Sequence, residues 1–203
     1  MEEKYIIRKI EEFVHRKLHL EGSGHDWWHI ERVRKNALRI GEVEHANIFV
    51  VELAALLHDL IDDKLPVTVR LDVNDVECYL EEIGIEKAIA ADVISIINVI
   101  SFRKNTPVSQ LTLEAKVVQD ADRLDAIGAI GIARTFIYAG SKGNILYHPE
   151  NHEGTDAISH FYAKLLKLKD LMNTDTGRSI AEERHQFLYQ FLDQFYQEWN
   201  GEE

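Results

Sequence analysis

The sequence predicts an all-α fold, one bundle of eight to ten helices, on three observations. Apolar residues recur at helical spacing along most of the 203 residues. Only three prolines occur, Pro66 after the Asp62-Asp63-Lys64 cluster and Pro107 and Pro149 in polar stretches, which suits long helices with few extended loops. No run of alternating apolar and polar residues is long enough to propose a sheet.

The elements follow in order. Residues 3–19 place Tyr5, Ile6, Ile10, Phe13, Val14 and Leu18 at helical spacing between charges. Glu21-Gly22-Ser23-Gly24 breaks that helix, and Ser23 or Asp26 offers the cap for a second one reaching about Gly41. Residues 45–62 are apolar on most faces and predict a central helix. Leu65 to Val69 reads as a turn. Asp72 or Asn74 caps a helix to Ile83, which Gly84 ends. Glu86 to Phe102 is helical, with Val93, Ile94, Ile96, Ile97, Val99 and Ile100 as core, and 103–109 is a polar connection. Leu113 to Asp125 and Ala126 to Tyr138 read as one continuing helical run, whose Ala126, Gly128, Ala129 and Gly131 allow another backbone to approach. Residues 140–155 form the longest polar segment, a length usually reserved for functional or mobile loops. Ala157 to Met172 and Thr176 to Trp199 are two more amphipathic helices.

Composition narrows the function. Acidic residues outnumber basic ones and the net charge is −12, which argues against general nucleic-acid binding and disfavours a nuclease, since these need a basic footprint. A small anionic substrate held by a local cluster of Lys and Arg stays compatible. The single cysteine, Cys78, allows no intrachain disulfide, which points to a reducing cytoplasm. No apolar stretch resembles a signal peptide or reaches membrane-spanning length. No pattern settles oligomeric state, and a homodimer stays open.

The stretch Ala54-Ala55-Leu56-Leu57-His58-Asp59-Leu60-Ile61-Asp62-Asp63-Lys64 carries the chemistry. An imidazole and a carboxylate on so apolar a segment are costly to bury unless something neutralises them. A metal ion does so by binding both groups. His58 and Asp59, adjacent on one helix, point about 100° apart and can clasp an ion only beside it, so the remaining ligands must come from other helices.

Upstream lies His25-Asp26-Trp27-Trp28-His29 and downstream Asp120-Ala121-Asp122-Arg123-Leu124-Asp125. With these flanks, the ordered set His29, His58-Asp59, Asp122 resembles the HD-domain metal-dependent phosphohydrolase superfamily, and in particular a small bacterial branch of it. The resemblance spans roughly residues 20 to 190 and implies a single domain over 1–203. It also implies that His29, His58, Asp59 and Asp122 ligate the metal. Two imidazoles and two carboxylates suit a divalent ion with open positions, and leave Mn, Ni, Co, Fe, Mg and Zn as candidates. Asp120 and Asp125 compete with Asp122. Asp125, three residues on, suits a supporting role near the metal, and Asp120 an outward or capping one. His25 is assigned to hydrogen bonding near the metal or substrate, and Trp27 and Trp28 to packing or to the pocket wall. Relatives with two metals use extra histidines between the Asp59 and Asp122 positions. This sequence has none there, which favours one metal.

Asp62 shares the predicted helix face of His58 and Asp59 and is the candidate general base, with Asp63 as fallback. Relatives acting on nucleotides usually carry Glu at the corresponding place, one methylene longer. For the phosphate, Lys142 in Gly-Ser-Lys-Gly is the first choice, then Arg123 and Lys64, with Tyr147, His148 and His152 on a segment able to close over substrate. The resemblance implies hydrolysis of nucleoside triphosphates to monophosphate and pyrophosphate. The alternatives are a 5′-nucleotidase acting on monophosphates and a metal-containing nucleotide sensor without turnover.

Overall fold

In the computed structural model, residues 2–19, 25–100, 107–150 and 154–202 are described. Among them nine α-helices and no strands occur, as expected: α1 (Glu2–Leu18), α2 (Trp27–Glu44), α3 (Ile48–Leu57), α4 (Val73–Glu82), α5 (Lys87–Val99), α6 (Leu113–Asp125), α7 (Gly128–Ser141), α8 (Ala157–Ala163) and α9 (Asp175–Asn200). The chain divides into two compact units, Met1–Ala121 and Asp122–Glu203, and the dividing line falls inside the unbroken helix α6.

The first unit is arranged round α3. Every residue from Val50 to Leu57 is buried, Glu52 included, and α1, α2 and α5 pack against it. Arg34 on α2 satisfies the buried acid: its Nε donates to Glu52 at 2.8 Å and its Nη2 at 2.5 Å. The same guanidinium also meets Glu11 on α1 and Glu31 on α2, so one cation joins three helices. Two caps were readable in the sequence: Asp26 opens α2, and Asp72 opens α4 through a capping box with Asp75. Asn47 opens α3, three residues later than the expected start. Gly84 follows α4 at φ +83°, a backbone conformation glycine adopts without steric cost.

The central helix is shorter than expected. It stops at Leu57, and residues 58–61 form a turn rather than continuing helically to 62. His58 Nδ1 lies 2.8 Å from the Ala55 carbonyl, the acceptor that the Asp59 N–H would take in a longer α-helix. Beyond it the winding tightens, with Leu60 N–H donating to Leu57 and Asp62 N–H to Asp59.

The second unit holds α7, α8 and α9. The run expected to continue through residue 126 is broken there. Ala126 and Ile127 donate three residues back, and Gly128 opens α7 in the left-handed region at φ +72°. A Cβ at Gly131 would lie 2.2 Å from the Ala126 carbonyl oxygen, so this corner closes only on a residue without a side chain. The helix expected over 157–172 ends at Ala163, followed by two 3₁₀ turns at Leu165–Lys167 and Lys169–Leu171. Its cap is Asp156, whose carboxylate accepts the Ser159 N–H at 2.8 Å. Phe161 stacks on Phe191 of α9, with ring centroids 5.6 Å apart and Phe136 edge-on beside them.

Gly131→Ala should destabilise the chain by about 1–3 kcal/mol through overpacking at the α6–α7 corner. The midpoint of urea unfolding followed by circular dichroism checks it.

Candidate metal centre

The centre is built from helix ends. Asp26 lies just before α2, and its Oδ1 accepts the His29 backbone N–H at 2.7 Å. That capping bond fixes the first turn of α2 and with it the His29 ring, which is 1% exposed. His58 and Asp59 come from the turn that ends α3, and they are buried too.

Asp59 sits among three imidazoles. Its Oδ2 lies 2.7 Å from His25 Nδ1 and 3.2 Å from His29 Nε2, and its Oδ1 lies 3.4 Å from His58 Nε2. Burial works to raise the pKa of this carboxyl. The neighbouring His58 and His29 and the hydrogen bond from His25 outweigh burial, and hold it well below the usual carboxylate range.

His58 also has a defined tautomer. A carbonyl oxygen only accepts, so Nδ1, bonded to Ala55, carries the proton. Nε2 is left with its lone pair, buried on the side of Asp59 and, among the described residues, without a hydrogen-bond partner. This is the state a metal-binding imidazole needs, with one nitrogen held by a carbonyl and the other bare.

Within the first unit, His25, His29 and Asp59 have ligand atoms within 4.8 Å of one another, with the buried His58 beside them. Asp122 stands on α6 and is half-buried. Three residues of the expected ligand set, His29, His58 and Asp59, therefore meet within the first unit, and the fourth, Asp122, belongs to the second. Imidazole nitrogen and carboxylate oxygen at this spacing suit a divalent first-row ion.

Other candidates fall elsewhere. Asp62 is not on the helix face expected for it, because α3 ends five residues earlier. Its Oδ1 accepts the Lys64 backbone N–H at 2.8 Å, and Lys64 Nζ lies 3.5 Å from its Oδ2. Arg123 donates to the Leu171 carbonyl. Lys142 is the C-cap of α7, exposed, with Nζ 5.5 Å from the centroid of the Tyr138 ring. Asp125 is buried, with Oδ2 2.7 Å from Arg134. Asp120, expected to point outward or cap, is fully buried. Tyr147 packs edge-on against Phe195, Tyr196 and Trp199. His148 accepts the Glu150 N–H at 3.3 Å, and His152 lies outside the described residues.

Trp27 and Trp28 line a cleft of about 500 Å³ between α1 and α2, with Glu11, Glu12, His15, Arg16 and Glu31. Glu31, two residues after His29, points about 200° round the helix from it. The cleft thus faces away from the His25, His29 and Asp59 cluster, and neither tryptophan belongs to it. What sequence reading missed was the Ala55 carbonyl. Its signal is the spacing of a histidine three residues after an acceptor at a helix end.

Comparison with known proteins follows the same residues. Residues 27–127 match the family described as the HD domain. The Bacillus subtilis protein YpgQ is 52% identical over 196 residues, 96% of this chain and 94% of that one. Its crystal structure in complex with ADP superposes with a TM-score of 0.87 at 49% identity, covering 98% of this chain and 97% of that one. An HD-superfamily hydrolase from Bacillus thuringiensis superposes with a TM-score of 0.80 at 44% identity, covering 98% of each chain.

Asp26→Ala should cost about 1 kcal/mol by removing the cap of α2. Urea unfolding of the two proteins side by side measures it.

Proposed function

This chain belongs to the HD-domain family, and on that premise we propose that it is a metal-dependent phosphohydrolase converting nucleoside triphosphates to monophosphate and pyrophosphate. The observation that carries the reading is the buried Asp59 among its histidines, with the bare Nε2 of His58 beside it. In this reading His29, His58, Asp59 and Asp122 hold one divalent ion. When bound, such an ion makes hydroxide available near neutral pH and polarises a phosphoryl oxygen.

The remaining roles belong to this chain's side chains. Asp62 accepts the proton of the attacking water. It stands three residues after Asp59, already oriented by the Lys64 backbone N–H. Lys64, Arg123, Lys142 and His25 contact the phosphates. A nucleotide substrate is supported by the ADP in the YpgQ complex, since that chain is 49% identical over nearly its whole length. The pyrophosphohydrolase reaction itself rests on the likeness of the His-Asp-Trp-Trp-His and Asp-Ala-Asp-Arg-Leu-Asp-Ala segments to the small bacterial branch.

Product analysis tests the reading directly. With Mn²⁺, one nucleoside triphosphate should give monophosphate and pyrophosphate in equal amounts. Orthophosphate from a monophosphate, with the triphosphate left intact, would instead identify a 5′-nucleotidase. Nucleotide binding without any turnover would identify a sensor.

Two further outcomes are expected. Mn²⁺ at about 100 times its Kd should stabilise the wild type by about 2.7 kcal/mol against urea and leave Asp59→Ala unmoved. Asp62→Asn should lower kcat about 10²- to 10⁴-fold with little change in KM, as loss of a general base does. Steady-state kinetics on the triphosphate measures it.

A further inference from the structure

We propose that His25 is a positioning residue for the metal centre, its Nδ1–H pinning the Asp59 carboxylate in the orientation that ligation requires. The inference rests on the proposed role of Asp59 as a ligand. His25 Nδ1 lies 2.7 Å from Asp59 Oδ2, the shortest of the three approaches to that carboxylate. The bond is shielded: the His25 side chain is 13% exposed and the Asp59 side chain 6%.

The distance decides between two roles. His25, His29 and Asp59 lie close enough to form a ligand triad of their own. An ionised carboxylate only accepts, so at 2.7 Å the proton belongs to His25 Nδ1. A nitrogen that carries its proton has no lone pair to give a metal. His25 therefore acts on the ion through Asp59.

Asp59 needs such a partner. The last torsion of an aspartate is broad and roughly two-fold, so packing alone sets its plane weakly. Here one oxygen must serve the His25 bond while the carboxylate as a whole stays among His25, His29 and His58. A charge-assisted hydrogen bond, roughly twice as strong as a neutral one, fixes that plane. The backbone supports the arrangement. His25 precedes the cap residue Asp26, so the capping turn of α2 sets both His25 and His29, whose rings meet edge to face at 5.7 Å.

Calorimetric titration with Mn²⁺ alone, on the full chain, tests the proposal with three variants and an Asp59→Ala control. His25→Ala should weaken Mn²⁺ binding about 10- to 100-fold, the usual effect of losing a residue that orients a ligand. His25→Asn, whose amide N–H stands where Nδ1–H stood, should retain affinity close to wild type. His25→Gln, whose amide reaches the Nε2 position, should bind as weakly as His25→Ala. Far-ultraviolet circular dichroism of the metal-free variants should match wild type, and the Asn variant keeps the comparison informative if His25→Ala fails to fold. Wild-type affinity in His25→Ala would overturn the proposal. So would an Asn variant as weak as Ala, since that would make His25 a direct ligand. No Mn²⁺ binding by the wild type would overturn the metal reading itself, and this inference with it. A wild type that binds while Asp59→Ala does not sustains that reading whatever the His25 variants show.

Discussion

A carboxylate that must stay charged where water barely reaches is the constraint from which the rest follows. Asp59 is 4% exposed, and α3 beside it is buried along nearly its whole length. Moving an isolated carboxylate out of water costs far more than a domain's net stability, so such a group exists only with partners. The partners are three imidazoles drawn from two separate segments. The same positions are those from which imidazole nitrogen and carboxylate oxygen can face one ion. Burying the acid and preparing a metal site are here one arrangement, since a hydrophobic helix delivers the acid and capped helix ends deliver the rings.

The ending of α3 shows how local chemistry sets the direction of that delivery. A helix continuing to residue 62 would have placed Asp62 over His58 and Asp59 by simple periodicity. The His58 ring instead bonds the Ala55 carbonyl, and the chain leaves the helix at the residue that matters. One contact thus does two things: it ends the element, and it leaves the opposite nitrogen of the ring as an acceptor. This explains why an apolar segment carries a His-Asp pair at its end rather than in its middle.

Much of the fold was legible in the sequence, because helices depend on spacing and caps, and both are local. Asp26, Asp72 and Gly84 stand where their chemistry placed them. The breaks were not legible. At Ala126–Ile127 the apolar pattern runs on undisturbed, and the interruption depends on a left-handed Gly128 and on Gly131 closing against the Ala126 carbonyl. Small residues announce close approach without saying whether the approaching backbone is distant or their own. The meeting of His29, His58 and Asp59 was legible because the ordered His and His-Asp positions carried it. Asp120 and Asp125 were not, since a helical aspartate three residues from another reads the same whether it meets an arginine, as Asp125 meets Arg134, or lies buried like Asp120.

The charge balance gives the arrangement its last consequence. A chain of net charge −12 repels an anionic nucleotide at a distance, and attraction has to be supplied locally. Two of the nearby cations are already engaged: Lys64 faces Asp62, and Arg123 donates to the Leu171 carbonyl. A bound divalent cation would add two positive charges next to the buried Asp59, where field lines spread through little water. Under the proposed function, the ion that activates the nucleophile is then also the main reason a phosphate chain comes to rest there. The acidic surface gains a use in that setting. It disfavours polyanions with many phosphates spread over a long backbone, which the few local cations cannot offset, and admits a single nucleotide whose phosphates can all gather at one ion.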